Sequence, residues 1–71
     1  MIHIGHIIRQ ELRNKGYTLS WLARELNCSR SNVYKFLDKA SLDTSLLMQI
    51  SLLVGVDFFR YYTDELNKRE V

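Results

Sequence analysis

At 71 residues the chain makes one domain, near the lower size at which a single core holds without disulfides or metal. A hydrophobic content of 46%, three Gly and no Pro favour an all-helical domain with short connections, and one cysteine excludes an intramolecular disulfide or a cysteine-rich zinc site. The net charge of +2 is unevenly placed: Arg13, Lys15, Arg24, Arg30, Lys35 and Lys39 against Glu25 and Asp38 give residues 13–39 a net +4, whereas residues 40–71 carry a net −2.

Met1-Ile2-His3-Ile4 is apolar, but Arg9 interrupts it too soon for a signal peptide, and no apolar run approaches the roughly 18 residues of a membrane span. A reducing, cytoplasmic setting is the expectation. The first helix is read over Ile4 to Lys15. Ile4, Ile7, Ile8 and Leu12 form its packing stripe, while Arg9, Gln10, Arg13 and Asn14 face water. Gly16 ends it as a C′ residue, and Tyr17 is expected to pack back on the core. Thr18 caps a second helix with Leu19, Leu22, Ala23 and Leu26 at helical spacing. Ser29 caps a third that runs to about Asp38, with Val33, Phe36 and Leu37 inward and Arg30, Ser31, Asn32, Tyr34 and Lys35 outward. After a connector over residues 39–42, Asp43 or Thr44 caps a fourth helix bearing Leu46, Leu47, Ile50, Leu53 and Val54. It is nearly devoid of charge and is expected to be the most buried element. Gly55 stops it, and Asp57 opens an aromatic C-terminal helix over 57–69, from Phe58, with Phe58, Phe59, Tyr61, Tyr62 and Leu66 as its apolar side. Repeats, linkers and low-complexity segments are absent, so residues 1–71 form one all-α, five-helix bundle.

The segment 18–38 meets the three demands of a helix-turn-helix. Ala23 is the small residue where the second helix crosses, Asn27 tolerates the left-handed conformation of the turn, and Val33 anchors the second helix inward, with Phe36 one turn on. The run Lys15-Gly16, Thr18, Leu22-Ala23, Leu26, Ser29-Arg30 and Val33, followed by Leu46-Leu47, Ile50 and Gly55-Val56, resembles the Cro/repressor-type (Xre-like) helix-turn-helix domains of bacteria and phages. The likeness covers residues 4–59. Asn32-Val33-Tyr34-Lys35 and the tail Asp57-Phe58-Phe59 with Tyr61-Tyr62 are similar to a group of small Bacteroides-type regulators. Two positions depart from the pattern. Leu19 stands where the family has a Gln that contacts DNA, and Asn27 replaces the turn glycine.

The resemblance implies a lambda-repressor-like bundle and a sequence-specific transcriptional regulator that places its third helix in the major groove of double-stranded DNA. Arg30, Ser31 and Lys35 would then reach base edges, and Arg30 is the strongest reader because its fork can bond both acceptors of guanine. Thr18, Ser20, Asn32, Tyr34, Lys39, Ser41 and Arg13 are the flanking or phosphate contacts, which position the domain without reading sequence. The concentrated positive charge suits that partner. Phe59, Tyr61 and Tyr62 are the expected dimer or partner surface, because adjacent aromatics on a helix cannot all face inward. A homodimer would read two half-sites.

Other constellations carry less. His3 and His6 with Cys28 could suggest a metal site, but Cys28 fits better as a small buried thiol, so neither metal nor cofactor is expected. Trp21 either covers the core edge or lies near the DNA backbone. No paired carboxylates, activated nucleophile or Gly-rich phosphate loop is visible, so the chain is read as a non-enzyme without a small-molecule ligand. The alternative reading is a helical protein-interaction module, or an antitoxin-like partner, that keeps the fold without specific DNA binding.

Overall fold

In a computed structural model that describes residues 1–69, the helices are α1 (Ile4–Lys15), α2 (Leu19–Glu25), α3 (Arg30–Leu37), α4 (Thr44–Val54) and α5 (Arg60–Arg69). No strand occurs among the described residues, so the fold is the all-α, five-helix bundle expected. Residues 70 and 71, the end of the expected single domain, lie outside the described part. Among the described residues, no helix is long and apolar enough to cross a membrane.

Local chemistry sets most of the helix ends. Thr18 Oγ1 accepts the Trp21 N–H (3.0 Å), Ser29 Oγ the Asn32 N–H (3.1 Å) and Asp43 Oδ1 the Leu46 N–H (2.8 Å). Asp43, rather than Thr44, is therefore the cap of α4, and each such cap contributes about 1 kcal/mol. Gly16 closes α1 with φ 79°, and Gly55 closes α4 with φ 76°. The start of α1 has an imidazole cap: His3 Nδ1 accepts the His6 N–H (3.2 Å), and the two rings stack at 3.6 Å.

Ile4, Ile8 and Leu12 of α1, Leu22 and Ala23 of α2, Val33, Phe36 and Leu37 of α3, Leu47, Ile50 and Val54 of α4, and Phe58 form one buried cluster. Each large side chain taken fully from water contributes about 1.5–3 kcal/mol. A backbone junction fixes how α1 meets α3. The Ile4 N–H donates to the Ala40 carbonyl (2.9 Å) and the Gly5 N–H to the Lys39 carbonyl (3.2 Å). The connector after α3 thus satisfies two of the donors that the first turn of a helix leaves unpaired. Gly5 permits this approach, since a Cβ there would lie 2.0 Å from the Leu37 carbonyl oxygen and 2.8 Å from that of Lys39.

Three expectations need correction. Tyr17 does not enter the core; it is 39% exposed and stacks on Trp21 at 4.2 Å. The α4 helix is not the most buried element: Leu47, Ile50 and Val54 are buried, but Met48 is 52% and Leu52 75% exposed, because an uncharged helix at the surface still has an outer face. The fifth helix starts at Arg60 and not at Phe58. Asp57 Oδ1 accepts the Phe59 N–H (3.1 Å) and the Arg60 N–H reaches the Asp57 carbonyl (3.3 Å), so the chain first makes a tight turn that sends Phe58 fully into the core.

Candidate functional site

The candidate site is built on α2, the turn over residues 26–29, and α3. Asn27 has φ 55°, the left-handed conformation that Asn tolerates better than most side chains. The turn is closed by the Asn27 N–H on the Arg24 carbonyl (3.1 Å) and the Cys28 N–H on the Ala23 carbonyl (2.9 Å). Ala23 of α2 and Val33 of α3 are both buried in the core cluster, and the two helices pack against each other. Cys28 and Leu26 are half-buried and pack against the core.

The turn leaves one side of α3 open. Val33, Phe36 and Leu37 are buried, and Arg30, Ser31, Asn32, Tyr34 and Lys35 are all exposed. At 100° per residue, those five cover an arc of about 200°. Ser31 and Lys35 lie near its centre, opposite the core. Arg30 and Tyr34, one turn apart, form one shoulder, and Asn32 lies at the other edge. The geometry thus brings the three expected base-reading residues onto one open face.

The α1-facing shoulder has a feature that sequence reading missed. Arg9 is half-buried and does not simply face water; its guanidinium lies 5.6 Å from the centroid of the Tyr34 ring, within cation–π range. Beside it, Arg9, Arg13, Tyr17, Thr18, Leu19 and Tyr34 line a groove of ≈ 420 Å³. Leu19 is partly buried against the core, which gives an apolar residue a structural reason at this position. Thr18 spends its hydroxyl oxygen as the cap of α2, Arg13 and Ser20 are exposed, and Trp21 is half-buried under Tyr17. Lys39 and Ser41 are exposed in the connector whose carbonyls hold α1. The only sequence signal for the Arg9–Tyr34 pairing is that an Arg sits four residues before Arg13 on the same face.

The expected partner surface is less open than its composition implies. Phe59, Tyr61 and Tyr62 are half-buried and pack against the core, and Tyr61 lies alongside Phe58 with ring centroids 6.5 Å apart. The larger exposed apolar side chains in this part of the chain are Met48, Leu52 and Leu66. A second groove, of ≈ 450 Å³, is lined by Glu11, Asp57, Arg60, Tyr61 and Asp64 together with Gly55 and Val56, and it has the opposite charge balance from the first. Among the described residues, no group of three or more His, Cys, Asp or Glu is placed to hold a metal ion.

Compared with protein-family models, curated proteins and solved structures, the chain matches none.

Proposed function

We propose that this chain is a sequence-specific DNA-binding regulator that lays α3 in the major groove. The observation that carries the reading is the open face of α3: five exposed side chains, all able to hydrogen-bond and two of them cationic, on a helix whose other side is locked in the core. Such a face suits the donor and acceptor edges that base pairs present in the major groove. Arg30 is assigned to a guanine, Ser31 and Lys35 to neighbouring base edges, and Arg13, Lys39 and Ser41 to backbone phosphates. A second copy of the chain would supply the second half-site. Tyr34, one turn from Arg30, also lines the positive groove beside α1.

The test is selection of bound sequences from a random DNA pool, followed by titration at two salt concentrations. Recovery of a defined motif, salt-sensitive affinity, and a relaxed preference at one base pair in Arg30→Ala support the proposal. Binding that ignores salt, or no binding, overturns it.

A protein-interaction module is the second reading, and Met48 and Leu52 favour it. They stand exposed on α4, a helix without a single charged residue. A partner captured through Leu52 by a chain that shifts no duplex at low salt would select this reading over the first.

A further inference from the structure

We infer that Arg9 is a backbone-phosphate contact held in place by Tyr34, so that the groove between α1 and α3 seats one phosphate of the strand flanking the base-reading helix. The inference rests on the DNA-binding reading above and adds a residue and a role to it. An α-helix with its side chains is about 10–12 Å across, and the major groove is about 12 Å wide. A helix seated there by its N-terminal turn, which carries Arg30, meets sugar-phosphate backbone at the shoulder of its following turn. On α3 the α1-facing shoulder is Tyr34, and Arg9 lies over the ring of Tyr34 at 5.6 Å. The groove at this place is lined by the guanidinium-bearing Arg9 and Arg13 with Tyr17, Thr18 and Leu19, and none of its lining residues is a carboxylate. Two planar cationic forks without a competing anion form a phosphate seat.

Tyr34 acts on Arg9 rather than on a base. A free Arg side chain must be immobilised when it binds, and holding it beforehand removes part of that cost. Arg9 is half-buried, lies over the Tyr34 ring and lines the groove, so part of its freedom is already lost. In this arrangement Arg9 adds affinity without sequence preference, and Arg30, one turn from Tyr34, supplies the preference.

The experiment measures affinity for labelled duplexes of about 20 base pairs, one of random sequence and one selected from a pool, across a salt series, with the full chain and its variants. A contact to one phosphate contributes about 0.9 to the slope of log K against log salt. Arg9→Ala should therefore flatten the slope by about 0.9 and weaken binding about eightfold at 0.1 M salt, equally on both duplexes. Arg9→Gln, which keeps most of the side-chain packing, should do the same, and Arg9→Lys should retain the slope. Tyr34→Phe, which keeps the ring face beneath Arg9, should keep the parent's salt slope, while Tyr34→Ala loses about two- to tenfold without a change of slope. Adding Tyr34→Ala to Arg9→Ala should cost nothing more. Thermal unfolding of each variant identifies any loss that comes from misfolding.

An unchanged slope in both Arg9→Ala and Arg9→Gln, beside a parent that binds with steep salt dependence, overturns the inference and leaves the DNA-binding reading standing. So does an Arg9 effect confined to the selected duplex, which would make it a base contact. Additive losses in the double variant remove the positioning role of Tyr34. A parent chain without salt-dependent binding overturns the reading and the inference together.

Discussion

The helices α3 and α4 form an instructive pair. Each is capped by a side-chain oxygen bonded to the N–H three residues on, and each buries three side chains: Val33, Phe36 and Leu37 in one, Leu47, Ile50 and Val54 in the other. As parts of the core they are near equivalents. Their outer faces are not. That of α3 is Arg30, Ser31, Asn32, Tyr34 and Lys35, whereas α4 turns Ser45, Met48, Gln49 and Leu52 to the surface and has no charged residue along its length. The inner face of a short helix secures the fold, and its outer face is free to take up whatever the protein meets. The difference between a cationic outer face and an uncharged one that exposes Met48 and Leu52 is a difference in partner chemistry.

The largest expected effect comes from unseating α3. Gly5→Ala puts a methyl group against the Leu37 carbonyl, where backbone on both sides must move. It should destabilise the domain by about 3 kcal/mol or more, read as a fall in thermal midpoint by circular dichroism. A midpoint within a few degrees of the parent would show that α1 and α3 can separate freely.

The equivalence of the two inner faces is tested next. Leu37→Ala and Ile50→Ala both remove side chains at 1% or less exposure, and each should cost about 2–5 kcal/mol in urea unfolding. A large gap between the two would mean that one helix matters more to the core than its buried residues indicate. The caps come third: Ser29→Ala and Asp43→Ala should each lose about 1 kcal/mol. The outer faces should move stability least. Lys35→Ala and Leu52→Lys are each expected within about 0.5 kcal/mol of the parent. They part in their second readout: Lys35→Ala should weaken duplex binding, and Leu52→Lys should remove capture of a protein partner while leaving duplex affinity unchanged. The reverse pattern would interchange the roles assigned to the two faces.

Much of this fold is legible in the sequence because much of it is decided locally. Thr18, Ser29 and Asp43 cap the helices that follow them, Gly16 and Asn27 take the positive φ that the chain turns require, and the buried stripe of α1 follows its helical spacing. The misses share another origin. Gly5 reads as a weak helix former in a run of isoleucines, and only a segment far along the chain reveals why a side chain is excluded there. The aromatic helix begins at Arg60 and not at Phe58 because the Asp57 side chain first accepts the Phe59 N–H in a tight turn. In α4 the apolar residues run nearly all the way round, so periodicity does not say that Met48 and Leu52 stay outside. At the site, the exposed residues of α3 follow from its amphipathic spacing. The pairing of Arg9 with Tyr34 does not, since it depends on how two helices cross.

The bonds from Ile4 and Gly5 to the carbonyls of Ala40 and Lys39 have a kinetic consequence. They join α1 to a point beyond α3, so closing them carries the entropy cost of a long loop. A Gly5→Ala variant whose unfolding accelerates more than its folding slows would place these contacts after the folding transition state. Amides in the first turn of a helix ordinarily exchange with solvent readily, because they lack a partner within the helix. Here the two protons report on a larger event, the parting of α1 from the end of α3, and their hydrogen exchange provides a clock for the opening of the domain.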